Sequence, residues 1–503
     1  MSKRKLALRN GLSAALGYAV SLGVGLLLPR LFITGYGSEV NGLLGSVNQF
    51  LLYLGLLEAG MGALTLQALY RPVAEDDRSA INGILCTTHR YYKRAGVIYL
   101  LALIAAALLF PLIAGSGLPY LAVAGVVFFS GAGTLLTFWL QGKYQVLLQA
   151  VGKNYVQTNL TTLVTLLAGI AKVVMIALDC PIVAILAVSF AIHGIQAFCI
   201  LWYVKVKYKW IALDMPPAEG VLVQKNYMIL HRIAEVIFHN TDILLLTIFC
   251  DLKTVSVYTL YKLIFSYLER VLAILSGSVG FALGQNYQTD RRRFTARMDV
   301  FESIYSIAAT TLFSTALHLT LPFMTLYTSG VTDAVYCDPK LALLFAAVAW
   351  LTAIRQPMLL TINYAGHFKE TVPQTLIETG INLVVSLVGV LLWGIHGVLL
   401  GTVAALLYRS VEVIMYANKR LLGRTPLRSL AVHGVSLIMM VGLQLLLRVC
   451  PLPVDSFGGF LLVGLAETVV TALLFGGVHL LLFPSLRHWV AVQLRHVSRQ
   501  KTK

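Results

Sequence analysis

Apolar runs long enough to cross a bilayer core recur along almost the whole chain, each close to the ~20 residues that ~30 Å of hydrocarbon requires. Reading with that window predicts 14 helical segments: 12–33, 40–69, 95–115, 119–142, 155–178, 182–204, 227–250, 256–284, 300–326, 341–363, 373–393, 395–417, 429–450 and 457–483. The second and eighth exceed a single crossing and are expected to project beyond the lipid. The first is too long for a cleavable signal and lacks a small-residue cleavage site.

Composition narrows the class. The chain has 503 residues, 58% hydrophobic and 12% charged, with mean hydropathy +0.79. Soluble domains run about 45–50% apolar and about 25% charged. A soluble chain of this length would divide into domains whose surfaces these few charges could not cover. A soluble enzyme, a disordered chain and a secreted disulfide scaffold are excluded. The fold class expected is an all-α polytopic membrane protein.

Charge then orients it. Lys and Arg number 39 against 22 Asp and Glu, a net charge of +17. With the N-terminus inside, 29 of the 39 bases fall at inner ends and loops. Only Arg30, Lys253, Lys340 and Arg448 lie near outer ends, and the other six are within segments. That asymmetry predicts both termini on the cytoplasmic side. The excess is a topology signal that also attracts anionic lipid, and no nucleic-acid partner is expected. The tail 485–503 reads as an amphipathic helix on the membrane, with Trp489 at the interface, or as a frayed basic end. None of the six cysteines forms a Cys-x-x-Cys pair, so no metal site or cofactor is expected. They read as small buried hydrophobes, an external disulfide being the alternative.

The layout repeats at an offset of about 215 residues: segments 1 and 7 start near 12 and 227, segments 2 and 8 at 40 and 256. The organisation expected is a six-helix lobe 1–210, a second lobe 211–425, two further helices within 426–484, and a basic tail 485–503. An even-numbered repeat relates the lobes by an axis along the membrane normal, the arrangement that alternating access uses.

Four passages carry a family resemblance. They are Leu28-Pro29-Arg30 with Gly35-Tyr36-Gly37-Ser38-Glu39-Val40-Asn41-Gly42; Leu56-Leu57-Glu58-Ala59-Gly60-Met61-Gly62; Asn240-Thr241-Asp242 leading to Val257-Tyr258; and Ala365-Gly366-His367-Phe368-Lys369 with Gly394-Ile395-His396-Gly397-Val398 and Gly401-Thr402. In order and spacing, over about residues 9–425, the chain resembles the polysaccharide transporter family, the flippases of lipid-linked oligosaccharides. That family lies within the MATE-like multidrug/oligosaccharidyl-lipid/polysaccharide exporter superfamily. The resemblance implies two MATE-like lobes around a central cavity bordered by segments 1, 2, 7 and 8. It implies translocation of undecaprenyl-pyrophosphate-linked repeat units across the bacterial cytoplasmic membrane for cell-surface polysaccharide. Implied partners are that substrate, membrane lipids, and polysaccharide polymerases and glycosyltransferases.

Ionisable residues inside spans are costly and usually face a cavity or a partner. Arg232, Glu235, His239 and Asp242 fall on one face of segment 7. Tyr258, Lys262, Ser266 and Glu269 fall on one face of segment 8 with Arg270 beside them, and Asn41, Gly45, Asn48 and Gly55 line segment 2. A pyrophosphate cannot cross bare hydrocarbon, and arginine binds it with paired hydrogen bonds. The substrate-binding candidates are therefore Arg30, Arg232, Arg270, Arg355, Lys262 and Asn48, with Lys172 next. Opposed to this, Arg232–Glu235 and Glu269–Arg270 could simply neutralise one another, and Arg30 and Lys172 could snorkel to the interface. Glu58, Glu235 and Asp242 are candidates for binding a coupling proton or sodium ion. His193, His318, His396 and His479 stand isolated and read as packed side chains.

The leading alternative is a small-molecule or multidrug cation antiporter of the same fold, although such a cavity favours acids over bases. An integral-membrane glycosyltransferase or polymerase would need a larger extramembrane loop than 327–340. No nucleotide-binding motif or nucleophile constellation supports an enzyme.

Overall fold

The computed structural model describes residues 3–58, 61–213, 240–449 and 454–501. Those residues form helices α1 (Lys3–Tyr36), α2 (Ser38–Leu54), α3 (Met61–Glu75), α4 (Arg78–Ile113), α5 (Tyr120–Leu136), α6 (Gly142–Ala150), α7 (Asn154–Ala177) and α8 (Ile182–Lys207). After them come α9 (Asn240–Phe249), α10 (Leu252–Thr289), α11 (Arg291–Tyr327), α12 (Pro339–Ile354), α13 (Gln356–Ala365), α14 (Phe368–Trp393) and α15 (Ile395–Tyr416). The last three are α16 (Leu427–Val449), α17 (Phe457–Leu482) and α18 (Pro484–Lys501). Among the described residues, 13 helical stretches are long and apolar enough to cross a membrane, α2–α3, α5–α6 and α12–α13 each counting as one; of the expected seventh segment, α9 is the described part, and 227–239 lie outside the described residues.

Local chemistry sets the ends. Asp77, Asp290, Asp338 and Ser456 each turn a side-chain oxygen onto the first free backbone amides of the helix that follows. Gly37, at φ +85°, breaks the chain between α1 and α2 in a region that side chains with a Cβ disfavour.

Three predicted segments differ from the observed helices. The second is not one projecting rod: it breaks at a 3-10 turn over Gly55–Glu58. The Leu57 carbonyl accepts from the Tyr91 hydroxyl at 2.8 Å, and Tyr92 donates to Glu58 at 3.1 Å. Two tyrosines of α4 thus satisfy groups at the break, where a straight helix would need none. The tenth breaks at Arg355, because Pro357 has no amide for the ladder. The fourth runs on through a π-turn at Thr137–Gln141 into α6, which takes Lys143 from an expected loop into the helical interior.

The described chain divides into two compact units. One comprises Met1–Ser256 with Val331–Ala334; the other comprises Val257–Gly330 with Val335–Lys503. The first is centred on Leu43, Val47, Tyr92, Tyr99, Leu103 and Phe138. The second has an aromatic centre, where Tyr261 and Phe265 stack on Phe345 at 5.5 and 6.0 Å. Leucines are exposed along whole helices, among them Leu461, Leu462, Leu465 and Leu473 of α17. The buried face of α17 is Glu467, Thr471, Phe475 and His479. Apolar side chains outside and polar ones inside suit a lipid environment. The tail forms α18, with Trp489 and Leu494 exposed. Of the cysteines described, Cys86 is buried, Cys337 is exposed and none is in a disulfide; Cys450 lies outside the described residues.

Candidate functional site

In the first unit, a polar seam joins α2 to α9 and to the start of α10. Asn41 donates to Ser256 Oγ at 2.8 Å, and Ser46 and Thr247 share a hydroxyl bond of 2.7 Å. Tyr53 meets Thr241 at 3.4 Å. All but Tyr53 of these residues are buried. Asp242 is buried beside Thr241 and acts electrostatically on Tyr53. At the α1–α2 corner, the Ser38 amide and hydroxyl donate to Asp333 at 2.8 and 2.7 Å, and the Gly117 amide donates to Glu39 at 2.6 Å.

Asp333 lies outside the membrane-spanning segments. Partial desolvation alone would raise its carboxyl, but the Ser38 bonds and the Lys253 ammonium hold it below the usual carboxylate range. A lowered folded value stabilises the corner above the ordinary aspartate range. That contribution disappears as pH falls through the lowered value. Labelling of a cysteine placed at Ala334, taken relative to a fully exposed cysteine at the same pH so that the thiolate fraction cancels, should therefore quicken in acid, and should be quick already at neutral pH in Asp333→Asn. The gain should not exceed about fivefold, because a part-exposed carboxylate pair contributes about 1 kcal/mol or less. Equal labelling of both proteins at neutral pH would refute the clasp.

The remaining candidates of this unit are dispersed. Arg30 is half-buried on α1, and Asn48 is exposed on α2. Glu58 accepts from Tyr92 at the 3-10 turn. Lys143 was not a candidate, yet it is 4% exposed, with its ammonium 4.6 Å from the Tyr144 ring centre. Its place one residue past an apolar run made it look like a loop base. Arg232 and Glu235 lie outside the described residues.

In the second unit the structure assembles a ladder of alternating charge. Lys262 and Arg355 both act electrostatically on Glu269. Arg355 Nη1 bonds Glu378 Oε1 at 2.5 Å, and Arg409 Nε lies 3.4 Å from Glu378 Oε2. Arg409 also bonds Glu412 and, at 3.2 Å, Thr375. Arg355, Glu378 and Arg409 are buried. The ladder therefore links α10, the α12–α13 junction, α14 and α15. Lys262 and Arg270 turn toward the rings of Tyr258 and Tyr267 at 5.8 and 5.6 Å. Arg270 is exposed, next to the half-buried Glu269. Such an array can present cations to an anion at its α10 end, and an anion reaching Arg355 would compete with Glu378. Glu378 escaped sequence reading because it sits alone in an apolar run, and Arg409 and Glu412, three residues apart on another, because the partner that ties them to the ladder lies on α14.

The histidines expected to be merely packed are mostly in polar contacts. His396 Nε2 bonds Asp338 at 2.7 Å, His318 bonds Glu467 at 2.8 Å, and His479 bonds Ser436 at 3.0 Å. His193 bonds only its own helix, at Ser189 O. The difference arises because partners 43 to 149 residues away leave no local signature.

The helix order and the two units define an all-helical polytopic membrane protein with the fold of the MurJ and MATE transporters. The lipid II flippase MurJ in an inward closed conformation superposes with TM-score 0.67 at 13% identity, covering 95% of this chain and 99% of that one. An inward-facing multidrug resistance MATE family transporter of the MOP superfamily gives 0.64 at 15% identity, covering 80% of this chain and 94% of that one. A mutant MATE transporter of Vibrio cholerae gives 0.55 at 14% identity, covering 84% and 98%. No family model and no curated protein sequence matches the chain.

Proposed function

We propose that this protein is a flippase for a lipid-linked oligosaccharide carried on a polyprenyl pyrophosphate, undecaprenyl pyrophosphate being the carrier that the family resemblance implies. The supporting observation is the extent of the likeness. The match to the lipid flippase runs over 95% of this chain and that to the MATE transporter over 80%. The lipid flippase thus accounts for more of this chain than the drug exporter does. Exposed Arg270 and half-buried Lys262 on α10 give the pyrophosphate a cationic contact, while the lipid tail stays in the bilayer. In this reading, alternating access moves the two lobes, and the protein works in the bacterial cytoplasmic membrane with both termini inside. Glycosyltransferases that build the substrate and polymerases that consume it are its partners in the cell.

Reconstitution in liposomes with a fluorescent lipid-linked oligosaccharide tests the proposal. Wild-type protein should move the lipid to the opposite leaflet. Arg270→Ala should slow it by about tenfold or more, the loss expected for one charge-assisted contact of about 1.5–3 kcal/mol, without loss of folded protein. Transport of cationic drugs alone would make it an exporter instead.

A further inference from the structure

α11, α16 and α17 meet along a polar seam that the transport reading leaves unused. On α11, Glu302, Ser306, Thr310, Ser314 and His318 recur every four residues, over about 24 Å of helix at 1.5 Å per residue. Near the start of α16, Arg428 Nη1 holds Asp299 and Glu302, both at 2.9 Å, and Arg424 bonds Asp299 at 2.6 Å. Glu302 is 0% exposed. Its other oxygen, Oε1, lies 3.5 Å from His433 Nε2, and neither atom makes a hydrogen bond. His433 Nδ1 meets Ser306 at 3.3 Å, Ser306 meets Ser436 at 2.8 Å, and Ser436 meets His479 Nε2 at 3.0 Å. His479 Nδ1 is buried without a hydrogen-bond partner. Further along, His318 Nδ1 bonds Glu467 Oε2, and Glu467 Oε1 is buried without a partner. Phe475 lies between Thr471 and His479 on the buried face of α17, so apolar bulk separates the two clusters.

We propose that this seam is a proton-binding site. The Ser306–Ser436 hydroxyl pair joins His433 and His479 into one unit that holds a single proton, and His318–Glu467 is a second proton-binding pair on the same helices. Two imidazoles linked through two hydroxyls can exchange a proton without moving a heavy atom, the Ser436 proton turning from the Val432 carbonyl, 3.0 Å away, toward Ser306. A proton arriving at His479 Nδ1 releases the Nε2 proton to Ser436. The Ser436 proton passes to Ser306 and the Ser306 proton to His433 Nδ1, leaving His433 as an imidazolium beside the Glu302 carboxylate. His479 and the two hydroxyls each gain one proton and lose one, His433 keeps the one added, no electrons move, and no co-reactant is required.

The surrounding charges suit this role. Arg424 and Arg428 balance Asp299 and Glu302, so an added proton is the one net charge of the cluster. α18 contributes Ser485 to Arg428, while its Arg487, His488 and Arg495 are exposed. α13 has no charged residue, and the one charged residue of α12, Lys340, is exposed. Trp350 of α12 bonds Thr310 on the seam. Interhelical hydrogen bonding alone would need no ionisable group, and hydroxyls and amides would serve.

The test needs no substrate, so it succeeds or fails independently of the transport proposal. The full chain, in lipid nanodiscs and 15N-labelled at histidine, is titrated by NMR, and its carboxyl stretch is followed by infrared difference spectroscopy. His433 and His479 should take up one proton between them, both imidazoles shifting together at one midpoint, with a second proton entering only about one pH unit or more lower. Ser436→Ala, which preserves every charge, should abolish that coupling so that the imidazoles titrate independently. A protonated-carboxyl band should appear on acidification and be absent in Glu467→Gln. Independent or silent imidazoles in the wild type, or a carboxyl band unchanged in Glu467→Gln, would overturn the proposal.

Discussion

Glu378→Gln should be among the most damaging single substitutions in the second unit, lowering stability by about 3–5 kcal/mol, the cost of leaving a buried charge uncompensated. Its carboxylate lies between two buried guanidinium groups, 2.5 Å from Arg355 and 3.4 Å from Arg409. A glutamine keeps the shape but not the charge. Arg355→Met should be comparably costly, because Glu378 would lose its shorter partner. The double variant Arg355→Met/Glu378→Met should be milder than the sum of the two. It leaves Lys262 with Glu269 and Arg409 with Glu412, so the remaining charges stay balanced. Unfolding midpoints of the purified protein in detergent would measure this. Additive losses would mean that the ladder is not one electrostatic unit. A mild Glu378→Gln would mean that water reaches the pair.

This ladder marks where sequence reading ends. Spans could be read because burial in lipid imposes one length and one composition on every helix. The polar face of α17 went unread, although Glu467, Thr471 and His479 keep four-residue multiples. Partners could not be read. Glu302 meets His433, and Asp299 meets Arg424 and Arg428, across 125 to 131 residues of chain, and nothing near either partner specifies the other. Helix breaks were hidden for a different reason. A window of about 20 residues averages over Gly55 and Pro357, so two short helices and one long helix score alike. Lys143 was lost the same way, because a charge at the edge of an apolar run moves the boundary inward. Of the candidates on α10, Lys262 meets its expected neighbour Glu269. Arg355 belongs to the same ladder through Glu378, a residue that carried no signal of its own.

Gly42→Val should open the contact between α2 and the start of α10. A Cβ at Gly42 would lie 1.7 Å from the Leu252 carbonyl oxygen and 2.6 Å from its carbon. Backbone, unlike a side-chain end, cannot turn aside, so the helices must separate by more than an ångström to reach ordinary contact. On either side, Asn41–Ser256 and Ser46–Thr247 are hydrogen bonds of 2.8 and 2.7 Å that such a separation would break. Overpacking costs about 1–3 kcal/mol and each lost bond about 1 kcal/mol. The closed contact should then be populated about a hundredfold less, the equivalent of about 3 kcal/mol. A cysteine pair at Ser46 and Thr247 reads this directly, by rapid oxidative crosslinking with Gly42 present and slow crosslinking in Gly42→Val. Gly42 closes the Gly-Tyr-Gly-Ser-Glu-Val-Asn-Gly passage, whose Ser38, Glu39 and Asn41 each make a contact that holds this corner. If the transport cycle requires this contact to form and break, Gly42→Val should also abolish translocation while leaving the second unit's unfolding unchanged. Undiminished crosslinking would show that the helices approach without needing the glycine.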